Sequence, residues 1–298
     1  FASLLPFFPT SRYRQPIAPL LVITAAAWLV AMAGGRLGWT GAPHGRRRAG
    51  HAAVAAALVA ALWPTWTALP AANITWQVKL HEASRAAQLG DLRLTLQRAA
   101  EAEQAHPGLA ETAYLTARDL EDLKAWDEAT AAIDLARARA PRNRLAHYRA
   151  GRIAEEAGRL DAALEAYRQA STVSPGWAYP WLRTGLVLRR QGHPDLALAA
   201  MREAYARSPG NRRIRANLGS LLAENGLTDE ARTILTALTR DYPVYVNGWY
   251  NLALLEWRSG RAAAATAALD RAAALHGLSA DERRQVAQLR ASFAAAGS

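Results

Sequence analysis

Chemistry is most concentrated in two arginines that flank a tyrosine, Arg12, Tyr13 and Arg14, directly ahead of a long apolar run. Two guanidinium forks can hold a phosphate bidentately while the phenol sits at headgroup level. The trio therefore suits an anionic lipid carrier. It equally suits plain anchoring, with both side chains reaching out to headgroups from a helix end. Elsewhere the sequence is poorly equipped for catalysis, having no Gly-rich phosphate loop, no Gly-x-Ser-x-Gly elbow and no His-Glu-x-x-His motif. His44, His51, His81, His106, His147, His193 and His276 are scattered singly. The absence of cysteine excludes disulfides, thiolate metal sites and a cysteine nucleophile. No catalytic residue, cofactor or metal site is expected.

The elements that would position Arg12 and Arg14 are hydrophobic. Residues 16–35 carry no charge and match the roughly 20 residues that cross about 30 Å of hydrocarbon. A second uncharged run covers 52–72; it is Ala-rich, contains Pro64, and also fits a buried or interfacial helix. Trp63, Trp66 and Trp76 near its far end suit the interfacial layer. Between the runs lie Arg36, Arg46, Arg47 and Arg48, against Arg12 and Arg14 before them. The positive-inside rule puts that loop in the cytoplasm and everything after residue 72 outside. Residues 1–75 are thus expected to be a membrane segment with two transmembrane helices. Starting at Phe1 without a signal-peptide pattern, the chain reads as the tail of a longer protein.

From Trp76 onward the sequence repeats. Pro107, Pro141, Pro175, Pro209 and Pro243 follow at intervals of 34 residues, the length of a helix-turn-helix unit that stacks on its neighbours. Gly90, Gly158, Gly192, Gly226 and Gly260 keep the same phase and would permit the turn within each hairpin. Asp127, Asp161, Asp195 and Asp229 would start the second helices and accept their free N–H groups. Small residues mark the close helix contacts: Ala83, Ala117, Gly151, Gly185, Gly219 and Ala253 in the first helices, with Ala129, Ala163, Ala197, Ala231 and Ala265 in the second. Lys124 departs from the turn glycine, Gly277 from the proline, and Thr95 and Leu238 from the small residues. Ser279 and Glu282 form a capping box that opens a last helix, whose Val286, Leu289 and Phe293 can cover the exposed end.

This spacing and these residues resemble tetratricopeptide repeats (TPR), over residues 76–277. The expected fold is all-α: a solenoid of six helical hairpins with a capping helix at 278–298, preceded by the two membrane helices. The resemblance also sets the phase of the groove lined by the first helices. It places Tyr114, Tyr148 and Tyr250 at one inward position, with Tyr179, Arg118, Arg152, Arg189 and Trp257 nearby. Tyr, Trp and Arg dominate binding hot spots, so a protein or peptide ligand is implied. Packing between adjacent hairpins would use the same aromatics.

The net charge of +11 is carried by arginine, Lys79 and Lys124 being the only lysines. Acids alternate with bases, as in Arg118, Asp119, Glu121 and Asp122, which reads as a solvated face and gives no expectation of a nucleic-acid partner.

The stretch Arg12-Tyr13-Arg14-Gln15-Pro16, ahead of its apolar run, is similar to one before a late transmembrane helix in bacterial protein-mannosyltransferase-like (GT-C) glycosyltransferases. That resemblance implies an enzyme of the inner membrane using a polyprenyl-phosphate sugar, its repeats on the periplasmic side. The family's catalytic acid would lie outside this chain, which has no acidic residue before Glu82. A non-enzymatic membrane-anchored scaffold for envelope assembly, or an O-antigen ligase with appended repeats, fits the same features.

Overall fold

The computed structural model describes residues 71–297. The chain divides into two compact units, 1–77 and 78–298. Arg12, Tyr13, Arg14, the apolar run 16–35 and all but the last two residues of the run 52–72 lie outside the described residues. Among the described residues, no helix is long and apolar enough to cross a membrane.

The described residues form thirteen helices joined by short turns. In order they are α1 (Ala71–Gln88), α2 (Leu92–Ala105), α3 (Ala110–Asp122), α4 (Trp126–Arg139), α5 (Arg144–Glu156), α6 (Leu160–Val173) and α7 (Ala178–Arg190). There follow α8 (Pro194–Arg207), α9 (Arg212–Glu224), α10 (Thr228–Asp241), α11 (Val246–Arg258), α12 (Ala262–Ala273) and α13 (Ala280–Gly297). From α3 to α12 the odd and even helices pair as hairpins, each hairpin packs on the next, and α13 packs on the last of them. Successive first helices also touch directly, α3 with α5 and α9 with α11, so the first helices line the inner side of the array.

The periodic residues act through backbone geometry. Each turn glycine takes a positive φ, from 73° at Gly260 to 79° at Gly90 and Gly192. The next residue then returns its N–H to the carbonyl five positions back, as Arg159 does to Ala154 at 2.8 Å. Lys124 adopts the same left-handed conformation, φ 58°, and Ala125 makes the same bond to Leu120 at 2.9 Å. The hairpin keeps its turn without its glycine. Between hairpins, Pro141 and Pro243 each occupy the second position of a β-turn closed by Asn143 N–H to Ala140 O and Tyr245 N–H to Tyr242 O.

The expectation for the second-helix aspartates needs correction. Asp127, Asp161, Asp195 and Asp229 lie one residue inside their helices, and the residues at the N-cap make no side-chain cap. Asp127 and Asp229 are almost fully exposed and pair with Arg159 and Arg232 instead. They favour the helix dipole by charge alone.

Packing between the helices of a hairpin is a matter of matched sizes. Where the first helix carries glycine, the second brings a large side chain: Tyr167 over Gly151, Met201 over Gly185, Leu235 over Gly219. Leu238 departs from the small-residue pattern and is fully buried. Gly248 on the next hairpin makes the room, since a β-carbon there would stand 3.3 Å from Leu238. Thr95 is buried as well, its hydroxyl donating to Asp91 O at 2.7 Å.

The capping helix closes the end. Ser279 N–H donates to Glu282 Oε2 at 2.8 Å, and Glu282 N–H to Ser279 Oγ at 3.2 Å. Val286, Leu289 and Phe293 are buried against α11 and α12.

Candidate binding surface

The inner side is built from the first helices, and its organising groups are carboxylates under arginines. Asp119 and Glu121 on α3 and Glu155 on α5 are buried, so the expected solvated face does not hold for them. A buried carboxylate stays charged only when partnered. Each of these is partnered across a repeat boundary.

Ser84 on α1 donates to Asp119 Oδ2 at 2.6 Å, while Arg118 Nη2 reaches Asp119 Oδ1 at 2.7 Å. Glu121 receives Arg149 at 2.5 Å and Arg152 at 2.8 Å, both from α5. Glu155 receives Arg183 of α7 at 2.8 Å, and Tyr167 donates to the same carboxylate at 2.8 Å. Arg189 then pairs with Glu224 of α9 at 3.5 Å. The acids pair with arginines that are only partly covered: Arg118, Arg152 and Arg189 keep 39%, 42% and 40% of their side chains exposed.

Aromatic rings fill the spaces between. Arg149 lies 4.8 Å over Tyr114. Tyr148 stands 5.6 Å from Tyr167 and 4.8 Å from Trp177. Burial lifts the Tyr148 phenol above its ordinary value, against the opposing fields of Arg183, Arg152 and Arg213. The hydroxyl therefore stays protonated, a donor among donors. Burial likewise pushes the Tyr167 phenol far up, which keeps it protonated toward Glu155. Tyr179 is 39% exposed, and its hydroxyl accepts from Asn211 at 3.4 Å.

Of the residues expected to line the groove, Arg118, Tyr148, Arg152, Tyr179 and Arg189 come together along α3, α5 and α7, with Tyr114 beneath Arg149. Tyr250 and Trp257 belong to the far end. Tyr250 packs into the last apolar cluster, and Trp257 stacks on Phe293 of α13 with centroids 4.3 Å apart and planes 11° from parallel. Sequence reasoning missed Glu121, Glu155, Arg149 and Arg183. A signal existed: Glu121 and Glu155 are one repeat apart, as are Arg149 and Arg183. Among the described residues no group of His, Asp or Glu is arranged to hold a metal ion.

Stacked helical hairpins with an inner side of anchored arginines and aromatics define a repeat protein of the protein-interaction class. Tetratricopeptide-repeat models match residues 188–246 and, separately, 114–176 and 224–280, together just over half of the chain. The chain belongs to the tetratricopeptide repeat family. Solved structures agree on the fold. A tetratricopeptide repeat protein from Parabacteroides merdae is 17% identical with a TM-score of 0.61, over 75% of this chain and 87% of that one. YrrB, a TPR protein with an unusual peptide-binding site, is 20% identical with a TM-score of 0.51, over 65% and 97%. PilW, a type IV pilus biogenesis factor, is 23% identical with a TM-score of 0.50, over 62% and 93%. A sequence comparison with curated proteins found no match.

Proposed function

We propose that this chain is a binding scaffold whose inner side, along α3, α5, α7 and α9, holds an extended peptide or loop of a partner protein. One observation carries the proposal: Arg118, Arg152 and Arg189 each pair with a carboxylate while about two fifths of each side chain stays exposed. Anchored arginines lose little conformational freedom on binding, which favours affinity. The peptide-binding site of YrrB and the pilus role of PilW are compatible with such a scaffold.

Selection of peptides from a displayed random library on the full chain tests it. Arg189→Gln and Arg152→Gln should each weaken the selected peptides about tenfold, the worth of one charge-assisted hydrogen bond. Arg168→Gln, on the outer α6, should leave them unchanged. Retained affinity in both inner variants, with the fold intact by circular dichroism, would end the proposal.

The finer expectation, a membrane glycosyltransferase tail that recognises a polyprenyl phosphate, stays with Arg12, Tyr13 and Arg14. Binding of that lipid by the full chain, lost in Arg12→Ala and Arg14→Ala, is its test; unchanged binding favours the scaffold without an enzyme. For location, the arginines at 36 and 46–48 support repeats on the periplasmic side. Protease added to spheroplasts should then digest the repeats and spare that loop.

A further inference from the structure

We propose that a second surface, the edge of the solenoid where α5, α7, α9 and α11 begin, is a docking strip for an acidic, extended segment of a partner protein. It borders the inner side and shares Tyr148 and Tyr179 with it, but its arginines are a different set from Arg118, Arg152 and Arg189. The strip is a continuous chain of contacts across three hairpins. The Arg144 guanidinium lies 5.1 Å over the Trp177 ring and donates to Ser174 Oγ at 3.2 Å. Trp177 stands 6.4 Å from Tyr179, whose hydroxyl meets Asn211, the N-cap of α9. Two repeats beyond Arg144, Arg212 lies 5.1 Å over Tyr245 in the equivalent stack.

Charge is concentrated here without compensation. Arg142, Arg144, Arg212 and Arg213 are all exposed. None forms a salt bridge among the described residues, whereas Glu203 and Asp241 nearby are taken by Arg207, and by Arg215 and Arg240. The first turns of α5, α7, α9 and α11 contain no acid. Helix N-termini carry partial positive charge, so Arg144, Arg212 and Arg213 oppose the dipoles of the helices that bear them. Helix stability does not explain their placement. Complementarity to an anionic partner does.

The geometry favours carboxylates over nucleic acid. Single strands bind by stacking bases on open ring faces. On this strip Arg144 and Tyr148 already stand against Trp177, and Arg212 covers Tyr245. What the stacks leave open are guanidinium edges, which match carboxylates as a fork. Leu145 and Val244, 47% and 77% exposed, add apolar footing beside them.

Fluorescence anisotropy with the full chain and labelled oligo-glutamate tests the strip, with oligo-glutamine, oligothymidylate and phosphatidylglycerol vesicles in parallel. Oligo-glutamate should bind in a salt-sensitive manner and oligo-glutamine should not. The triple variant R144Q/R212Q/R213Q should bind oligo-glutamate at least about tenfold more weakly. R258Q/R271Q/R283Q, which removes the same charge from unpaired arginines elsewhere, should bind as the parent does. Because Arg144 and Arg212 also pack on rings, R142Q/R213Q, which disturbs no stack, should show a smaller loss in the same direction. Failure to bind oligo-glutamate, equal losses in both triple variants, or tighter binding of the oligonucleotide or the vesicles would overturn the proposal.

Discussion

Tyr167 lies over Gly151 so closely that a β-carbon at 151 would come 2.4 Å from the ring. The ring cannot withdraw easily, because its hydroxyl donates to Glu155 and meets Arg183 Nε at 3.3 Å. The missing side chain of one helix is thus what admits the central side chain of the hairpin and, through it, anchors an inner-side ion pair.

Gly151→Ala should therefore destabilise the array. Overpacking costs about 1–3 kcal/mol, and a clash with a tethered ring falls in the upper part of that range, about 2–3 kcal/mol; helix propensity returns about 1 kcal/mol, leaving a net loss of about 1–2 kcal/mol in urea unfolding. Adding Tyr167→Leu recreates the Ala253 and Leu269 combination of the last hairpin and should recover part of it. A Gly151→Ala protein with an unchanged midpoint would contradict this packing.

Lys124 is the one described non-glycine residue with positive φ. The left-handed conformation costs an ordinary residue about 1–2 kcal/mol, partly offset by the greater chain entropy that glycine loses on folding. Lys124→Gly should raise stability by about 0.5–1 kcal/mol. A lower thermal midpoint would show that the side chain contributes something the turn geometry does not reveal.

Glu103 links the first two hairpins. Arg139 holds it with bonds of 2.6 and 2.9 Å, Gly108 N–H adds a third at 3.0 Å, and these partners hold its carboxyl below the usual range. The folded-state value lies under the unfolded one. The contribution is therefore complete above the ordinary carboxylate pKa and fades as pH falls through the depressed value. Stability of Glu103→Gln should converge on that of the parent in acid and fall short of it near neutrality. A constant difference across that window would remove Glu103 as the titrating group.

Phe293→Ala should loosen the C-terminal end, since Phe293 is buried against Trp257 and covers the last hairpin. Large buried aromatics cost about 3–5 kcal/mol on truncation, and an array unravels from its ends. Hydrogen exchange should quicken first in α11 and α12. Uniform quickening along the array would instead mean that the described helices melt as one unit.

The sequence by itself determined the hairpin register, the turns, the proline β-turns and the cap. Each depends on residue types that impose local backbone geometry, and all but the cap recur every 34 residues. Periodicity gives phase without an exact helix boundary, which is why the second-helix aspartates fell two residues past the cap position.

Only the tertiary structure decided which charges are buried. Arg118, Asp119, Glu121 and Asp122 look alike as a string, yet Asp119 is buried against Ser84 and Glu121 under Arg149 and Arg152, all from neighbouring first helices, while Asp122 meets water. It also decided that Trp257 is spent on Phe293, and that Gly248 makes room for Leu238. The reason is common to all three: whether a side chain is covered depends on a partner from another helix, and composition along one helix does not contain that partner.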